Sequence, residues 1–142
     1  MEKIELFNNI LADIGNFVLV IFGFSVTLFT VLYSFILSKK EQLIEYSDKI
    51  KKGNEDFIVN RRESNAKKII DRLKKINNHL IIIIFVDFII YVFCMGTKYI
   101  INSLNLKEPI TIALGFTALV MAIYVFGMLI ITVSDYLKIT KT

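Results

Sequence analysis

The 142-residue chain is 55% hydrophobic, carries a formal net charge of +4 and holds one cysteine, one proline and one histidine. A mean hydropathy of +0.60 argues against a soluble globular enzyme and for a single integral membrane domain, residues 1–142. One cysteine rules out a disulfide within the chain and leaves the redox compartment open.

Residues 1–13 place Ile4, Phe7, Leu11 and Ile14 at helical spacing among Glu2, Lys3, Glu5, Asn8 and Asn9. This predicts either an amphipathic N-terminal segment lying at the membrane interface or a plain extension of the helix that follows. The segment is acidic at its start and lacks the basic region of a cleaved signal peptide. The apolar run after it is therefore expected to be a retained span.

Three apolar runs are long enough to cross a bilayer, which takes about 20 helical residues. They give span 1 at residues 14–37, span 2 at 80–101 and span 3 at 110–133. On span 1, Asn16, Gly23, Thr27, Thr30, Ser34 and Ser38 follow one another at steps of seven, four, three, four and four, a single stripe along a helix. Small and hydroxylic residues of this kind either let helices approach closely or line a water-filled path in an oligomer. Both readings stand at this point.

Residues 38–79 form the one sizeable polar segment. It contains Lys39, Lys40, Lys49, Lys51, Lys52, Arg61, Arg62, Lys67, Lys68, Arg72, Lys74 and Lys75, most of the chain's 17 basic residues. The positive-inside rule places it in the cytoplasm, with the N-terminus and the loop 102–109 outside and the tail 134–142 inside. Acid-before-base pairs four residues apart, Glu45–Lys49, Asp48–Lys52, Glu63–Lys67 and Asp71–Lys75, predict a helical hairpin. Gly53 is the expected stop of its first helix and Asn60, with Glu63, the N-cap of the second. Ala66, Ile69, Leu73, Ile76 and Leu80 keep heptad spacing, with Leu43, Tyr46, Ser47 and Ile50 available to cover part of that seam. The expected fold class is thus an all-α membrane protein with three transmembrane helices and a basic cytoplasmic helical hairpin between the first and second spans.

Span 2 carries an acid, Asp87, about two turns inside an otherwise apolar run. A bare carboxylate there costs at least ~2.5 kcal/mol on insertion scales, so it reads either as functional or as a protonated or hydrogen-bonded passenger. Asp87, Tyr91, Cys94 and Lys98 share a face. Aligning the spans by depth names Thr30, Tyr33, Tyr124 and Gly127 as its expected partners. Pro109 is expected in the first turn of span 3, where Thr111, Gly115, Ala118 and Ala122 make a small-residue stripe suited to close packing.

The chain has no P-loop, nucleophile elbow, HExxH or CxxC, and His79 with a distant Cys94 makes no metal constellation. No catalysis, cofactor or metal is expected. The candidate pore-lining or intramembrane polar residues are Asn16, Thr27, Thr30, Ser34, Asp87 and Tyr91. Lys39, Lys40, Lys74 and Lys75 fall at headgroup level, where topology and anionic lipid account for them. Lys51, Lys52, Arg61 and Arg62 lie farther out and, with Lys67 and Lys68, are the candidate ligand-binding groups for a phosphate-bearing partner.

In layout the chain resembles the small multi-span effectors of bacterial anti-phage defence, among them the Hailong-type channel subunit that a short DNA oligomer keeps closed. The resemblance rests on three spans, a basic helical hairpin with KK and RR doublets, and a polar stripe ending near an intramembrane Asp. It implies a homo-oligomeric, tetrameric ion channel or pore-forming effector of the bacterial inner membrane. Short single-stranded DNA or a nucleotide would gate it through the basic hairpin. The alternatives are a non-conducting membrane anchor that docks a soluble cytoplasmic partner protein, or a phage holin-like protein.

Overall fold

The computed structural model describes the backbone of residues 2–51 and 57–140, and the side chains of residues 2–50 and 60–134. Lys52, Gly53 and residues 54–56 of the expected tip lie outside the described residues, as do the side chains of Lys51, of residues 57–59 and of the 135–142 tail. The described chain is helical throughout: α1 (Glu2–Lys51), α2 (Phe57–Ile100) and α3 (Leu104–Thr140). Each is long and apolar enough to cross a membrane. At 1.5 Å per residue the 50 residues of α1 extend ~75 Å, well beyond the ~30 Å hydrocarbon layer.

Two element boundaries differ from the sequence expectation, while at the N-terminus the helix-extension alternative is the one that forms. The N-terminal segment is the first part of α1, because Leu11 is buried and Ile4, Phe7 and Ile14 are half-buried, so its apolar face packs inward. Helix α2 begins at Phe57, which makes Asn60 an interior residue and not an N-cap. Extending an existing helix by a turn is far easier than nucleating one. Helix α3 begins at Leu104, so Pro109 is its sixth residue. The Ser103 carbonyl accepts the amides of Leu106 (3.3 Å) and Lys107 (3.0 Å) and starts the helix ahead of the proline.

The chain divides into two compact units. The first comprises Met1–Val26 and Leu80–Thr142. In its centre Val18, Ile90, Cys94 and Ala118 are buried together, with Ile14, Val86, Tyr91, Leu114 and Met121 packed around them. A Cβ on Gly15 would lie 3.1 Å from Met95 Cε and 3.8 Å from Cys94 Cβ, and one on Gly115 would lie 3.3 Å from Ile14 Cδ1. Phe24 stacks on Phe126 with ring centroids 6.0 Å apart. Within this unit, therefore, α1 and α3 run parallel and α2 antiparallel to both. The α3 stripe forms the contact that its spacing implies: Thr111, Ala118 and Ala122 are buried, and Gly115 admits Ile14. Large apolar side chains, among them Val20, Phe85, Phe93 and Phe116, face outward. Such an apolar exterior suits hydrocarbon.

The second unit, Thr27–His79, joins the later part of α1 to the earlier part of α2. Its α2 seam is Ala66, Ile70, Leu73 and Asn77, all buried, whereas Ile69 and Ile76 are only half-buried. The seam is thus rotated from the expected one and includes a polar residue. Leu43, Tyr46, Ser47 and Ile50 are half-buried on α1. Of the expected i,i+4 ion pairs, Glu45–Lys49 (2.6 Å) and Glu63–Lys67 (2.8 Å) form, whereas Asp71 and Lys75 do not pair. The hydrogen bond from Lys49 and its charge lower the Glu45 carboxyl below its usual range.

Candidate functional site

The polar residues expected to act together occupy two different faces. Asn16, Gly23, Thr27, Thr30, Ser34 and Ser38 are all exposed along α1. The buried face of α1 is a separate row containing Leu11, Gly15, Val18, Ser25, Leu28, Leu32 and Ile36. A Cβ on Gly23 would meet nothing within 4 Å, so no other helix among the described residues lies against the stripe at that position. Ser34 Oγ donates to the Thr30 carbonyl at 3.1 Å. The hydroxyl thereby satisfies itself on its own helix while keeping lone pairs directed outward.

Asp87 lies instead on the inward row of α2. Ile83, Asp87, Ile90, Cys94 and Thr97 are buried in succession, and Asp87 is 0% exposed. Tyr91 is half-buried beside it. Neither carboxylate oxygen of Asp87 has a hydrogen-bond partner among the described residues, so the expected bond to Tyr124 or another hydroxyl is absent. The depth alignment behind that expectation holds on α3, where Ile14 beside Gly115 and Phe24 against Phe126 keep Tyr124 near the level of Asp87, but differs on α1, where Thr30 and Tyr33 are not the residues at that level. Lys107 contacts both Asn8 and Lys98, and Gly15 sits beside Cys94, which together place Asp87 level with Ile21 and Phe22 of α1. The spans overlap this way because α1 enters the unit from Glu2, well ahead of its most apolar stretch.

Three buried polar groups escape a reading by composition. Lys107 is 0% exposed, and its Nζ donates to Asn8 Oδ1 (2.6 Å) and the Lys98 carbonyl (3.3 Å). One ammonium thus ties α1, α2 and α3 together, while the Thr111 hydroxyl donates to the carbonyl of Lys107 at 2.7 Å. Its signal in the sequence is the i,i+4 step to Thr111 on the α3 stripe, which extends back to Lys107 because residues 104–109 are helical. Ser25 is 0% exposed with an unpartnered Oγ. Its signal was the seven-residue step from Val18 and to Leu32, both core positions. Asn77 sits on the α2 seam with Oδ1 unpartnered.

Among the candidate ligand-binding residues, Arg61, Arg62, Lys67 and Lys68 are exposed on α2, with Lys67 paired to Glu63. Lys51 ends α1, and Lys52 lies outside the described residues. No group of three or more metal-ligating side chains occurs among the described residues. No family model matches the chain, and no curated protein or solved structure matches it.

Proposed function

We propose that the chain is the subunit of a homo-oligomeric ion channel or pore-forming effector in a bacterial cytoplasmic membrane, gated through the basic segment 38–79. The observation that carries this reading is the outward exposure of Asn16, Thr27, Thr30 and Ser34 on a helix apolar enough to cross a membrane. Polar side chains facing lipid are unfavourable, whereas the same row facing a lumen or a second copy is stabilised. Copies of α1 arranged around an axis would turn the stripe toward a shared path, and four copies are the favoured number.

Orientation follows the basic residues: segment 38–79 and the tail in the cytoplasm, the N-terminus and the α2–α3 junction outside. Lys51, Lys52, Arg61, Arg62, Lys67 and Lys68 would bind a phosphate-bearing ligand, short single-stranded DNA or a nucleotide. That ligand holds one state if it binds that state more tightly. In this reading the chain acts in anti-phage defence, as its layout suggests. Asp87 belongs to the packing of each subunit and does not line the lumen.

The test is induced expression with a membrane-potential dye. Rapid depolarisation is expected from the wild type and its loss from a Thr27→Leu, Thr30→Leu, Ser34→Leu variant. No depolarisation by the wild type would favour a membrane anchor for a soluble partner. Abrupt release of large solutes would favour a holin-like lesion.

A further inference from the structure

Two buried polar side chains in the three-helix unit lack hydrogen-bond partners: Asp87, through both carboxylate oxygens, and Ser25, through Oγ. Both are 0% exposed and both lie on inward rows, of α2 and α1 respectively. Since Gly15 of α1 is beside Cys94 of the antiparallel α2, Ser25 and Asp87 differ in depth by roughly one helical turn. Unsatisfied buried polar atoms are rare in folded proteins, and two within about one turn of each other in one unit point to a bridging ligand.

The groups facing Asp87 decide which ligand. The buried residues near its level are Ile21 and Ser25 on α1 and Ala118, Ala122 and Val125 on α3, none of them charged. On α2 itself the titratable neighbours are Tyr91 and Cys94, neither of them a basic side chain. Tyr124 of α3 is exposed. The buried cation Lys107 is held at the other end of the unit by Asn8 and Lys98, and Lys98 is eleven residues from Asp87, ~16 Å of rise. Among the described residues, therefore, no cation balances a carboxylate here. A hard metal ion would require about six oxygen ligands, and no cluster of three acidic, His or Cys side chains exists among the described residues.

We propose that Asp87 and Ser25 form a buried proton site, in which Asp87 is a neutral carboxylic acid and one enclosed water joins it to Ser25. The carboxyl O–H donates to the water, and the water bonds the Ser25 hydroxyl. A buried water needs two to four polar partners, and Oδ1, Oδ2 and Oγ supply three. The proton is part of the packed unit. Losing it leaves a bare charge in an apolar core, so proton release accompanies opening of the unit to water. This site lies within one chain and does not depend on whether the chain conducts.

Infrared spectroscopy of the purified protein in lipid nanodiscs at neutral pH tests it. Exposed carboxylates are ionised there, so the wild type is expected to show the carbonyl stretch of one protonated carboxylic acid. The band is expected to be lost in Asp87→Asn and shifted in frequency in Ser25→Ala, with helicity by circular dichroism unchanged. Absence of the band from the wild type, or its survival in Asp87→Asn, overturns the proposal. An unshifted band in Ser25→Ala removes Ser25 from the site and overturns its two-residue form.

Discussion

At Lys107 a single ammonium is enclosed by neutral acceptors, Asn8 Oδ1 at 2.6 Å and the Lys98 carbonyl at 3.3 Å, without a carboxylate. Hydrogen bonds to a charged donor contribute about 1.5–3 kcal/mol, and truncating one partner leaves the other buried and unsatisfied. Lys107→Met, which keeps the volume, is expected to lower the stability of the folded protein in detergent by ~1–3 kcal/mol. Asn8→Leu should cost less, because Asn8 is only half-buried. The double variant should fall short of the sum, since both changes remove the same bond. Additive losses in thermal unfolding would mean that the clamp is not a coupled unit. At Glu45 the carboxyl is lowered by its bond from Lys49. A lowered folded-state value stabilises the helix above the unfolded value, and this contribution disappears as pH falls through the folded one. Helicity of the region should therefore weaken on acidification, less so in high salt because the pair is exposed.

Two glycines of α1 separate packing within a chain from packing between chains. At Gly15 a Cβ would touch Met95 Cε at 3.1 Å, whereas at Gly23 it would meet nothing within 4 Å. Met95 is a flexible side chain and can yield to one methyl, so Gly15→Ala should be tolerated, whereas Gly15→Leu should destabilise the monomer by about 1–3 kcal/mol through overpacking. Gly23→Leu should leave monomer stability unchanged yet reduce the oligomer population in crosslinking or native mass spectrometry. An unchanged oligomer would show that the exposed stripe is not where copies meet. On α2, Asn77 occupies the buried seam between Leu73 and Leu80 with its carbonyl oxygen unpartnered. Replacing it with Leu removes an unsatisfied group and is expected to raise the midpoint of thermal unfolding. Polar seam residues often set register, so the same change should broaden the set of crosslinked pairings between α1 and α2. A lowered midpoint would show instead that Asn77 finds a partner in the assembled protein.

Across the whole molecule, charge asymmetry gives two measurable expectations. A cysteine at Asn102, exposed at the α2–α3 junction, should react with an impermeant reagent from outside intact cells, and one at Arg61 should not. The opposite pattern would invert the orientation and remove the cytoplasmic ligand from the proposal. Replacing Lys51, Lys52, Arg61 and Arg62 together with Gln should abolish binding of short single-stranded DNA or cyclic nucleotides. Wild-type binding should weaken steeply with salt, as phosphate contacts displace counterions. Substituting Lys39, Lys40, Lys74 and Lys75 should instead disturb insertion or lipid contact. Failure of the wild type to bind either probe at low salt would leave the basic doublets as topology signals.

Hydropathy and helical period alone were sufficient to identify three helices long enough to span a membrane, because long apolar runs admit few other structures when backbone groups must be satisfied internally. The same period identified the α3 contact through Thr111, Ala118 and Ala122, since small residues at i,i+4 spacing leave one face flat enough for another helix. The α1 stripe was equally legible as a stripe, but period does not say which face turns inward. The tertiary structure decided that: α1 buries Leu11, Val18, Ser25 and Leu32 and leaves Asn16, Thr27, Thr30 and Ser34 outside. It also set the depth at which Asp87 meets its neighbours. Helices slide in register without changing their own hydrogen bonds, so contacts such as Gly15 with Met95 and Lys107 with Asn8, between residues far apart in the chain, are what hold one alignment.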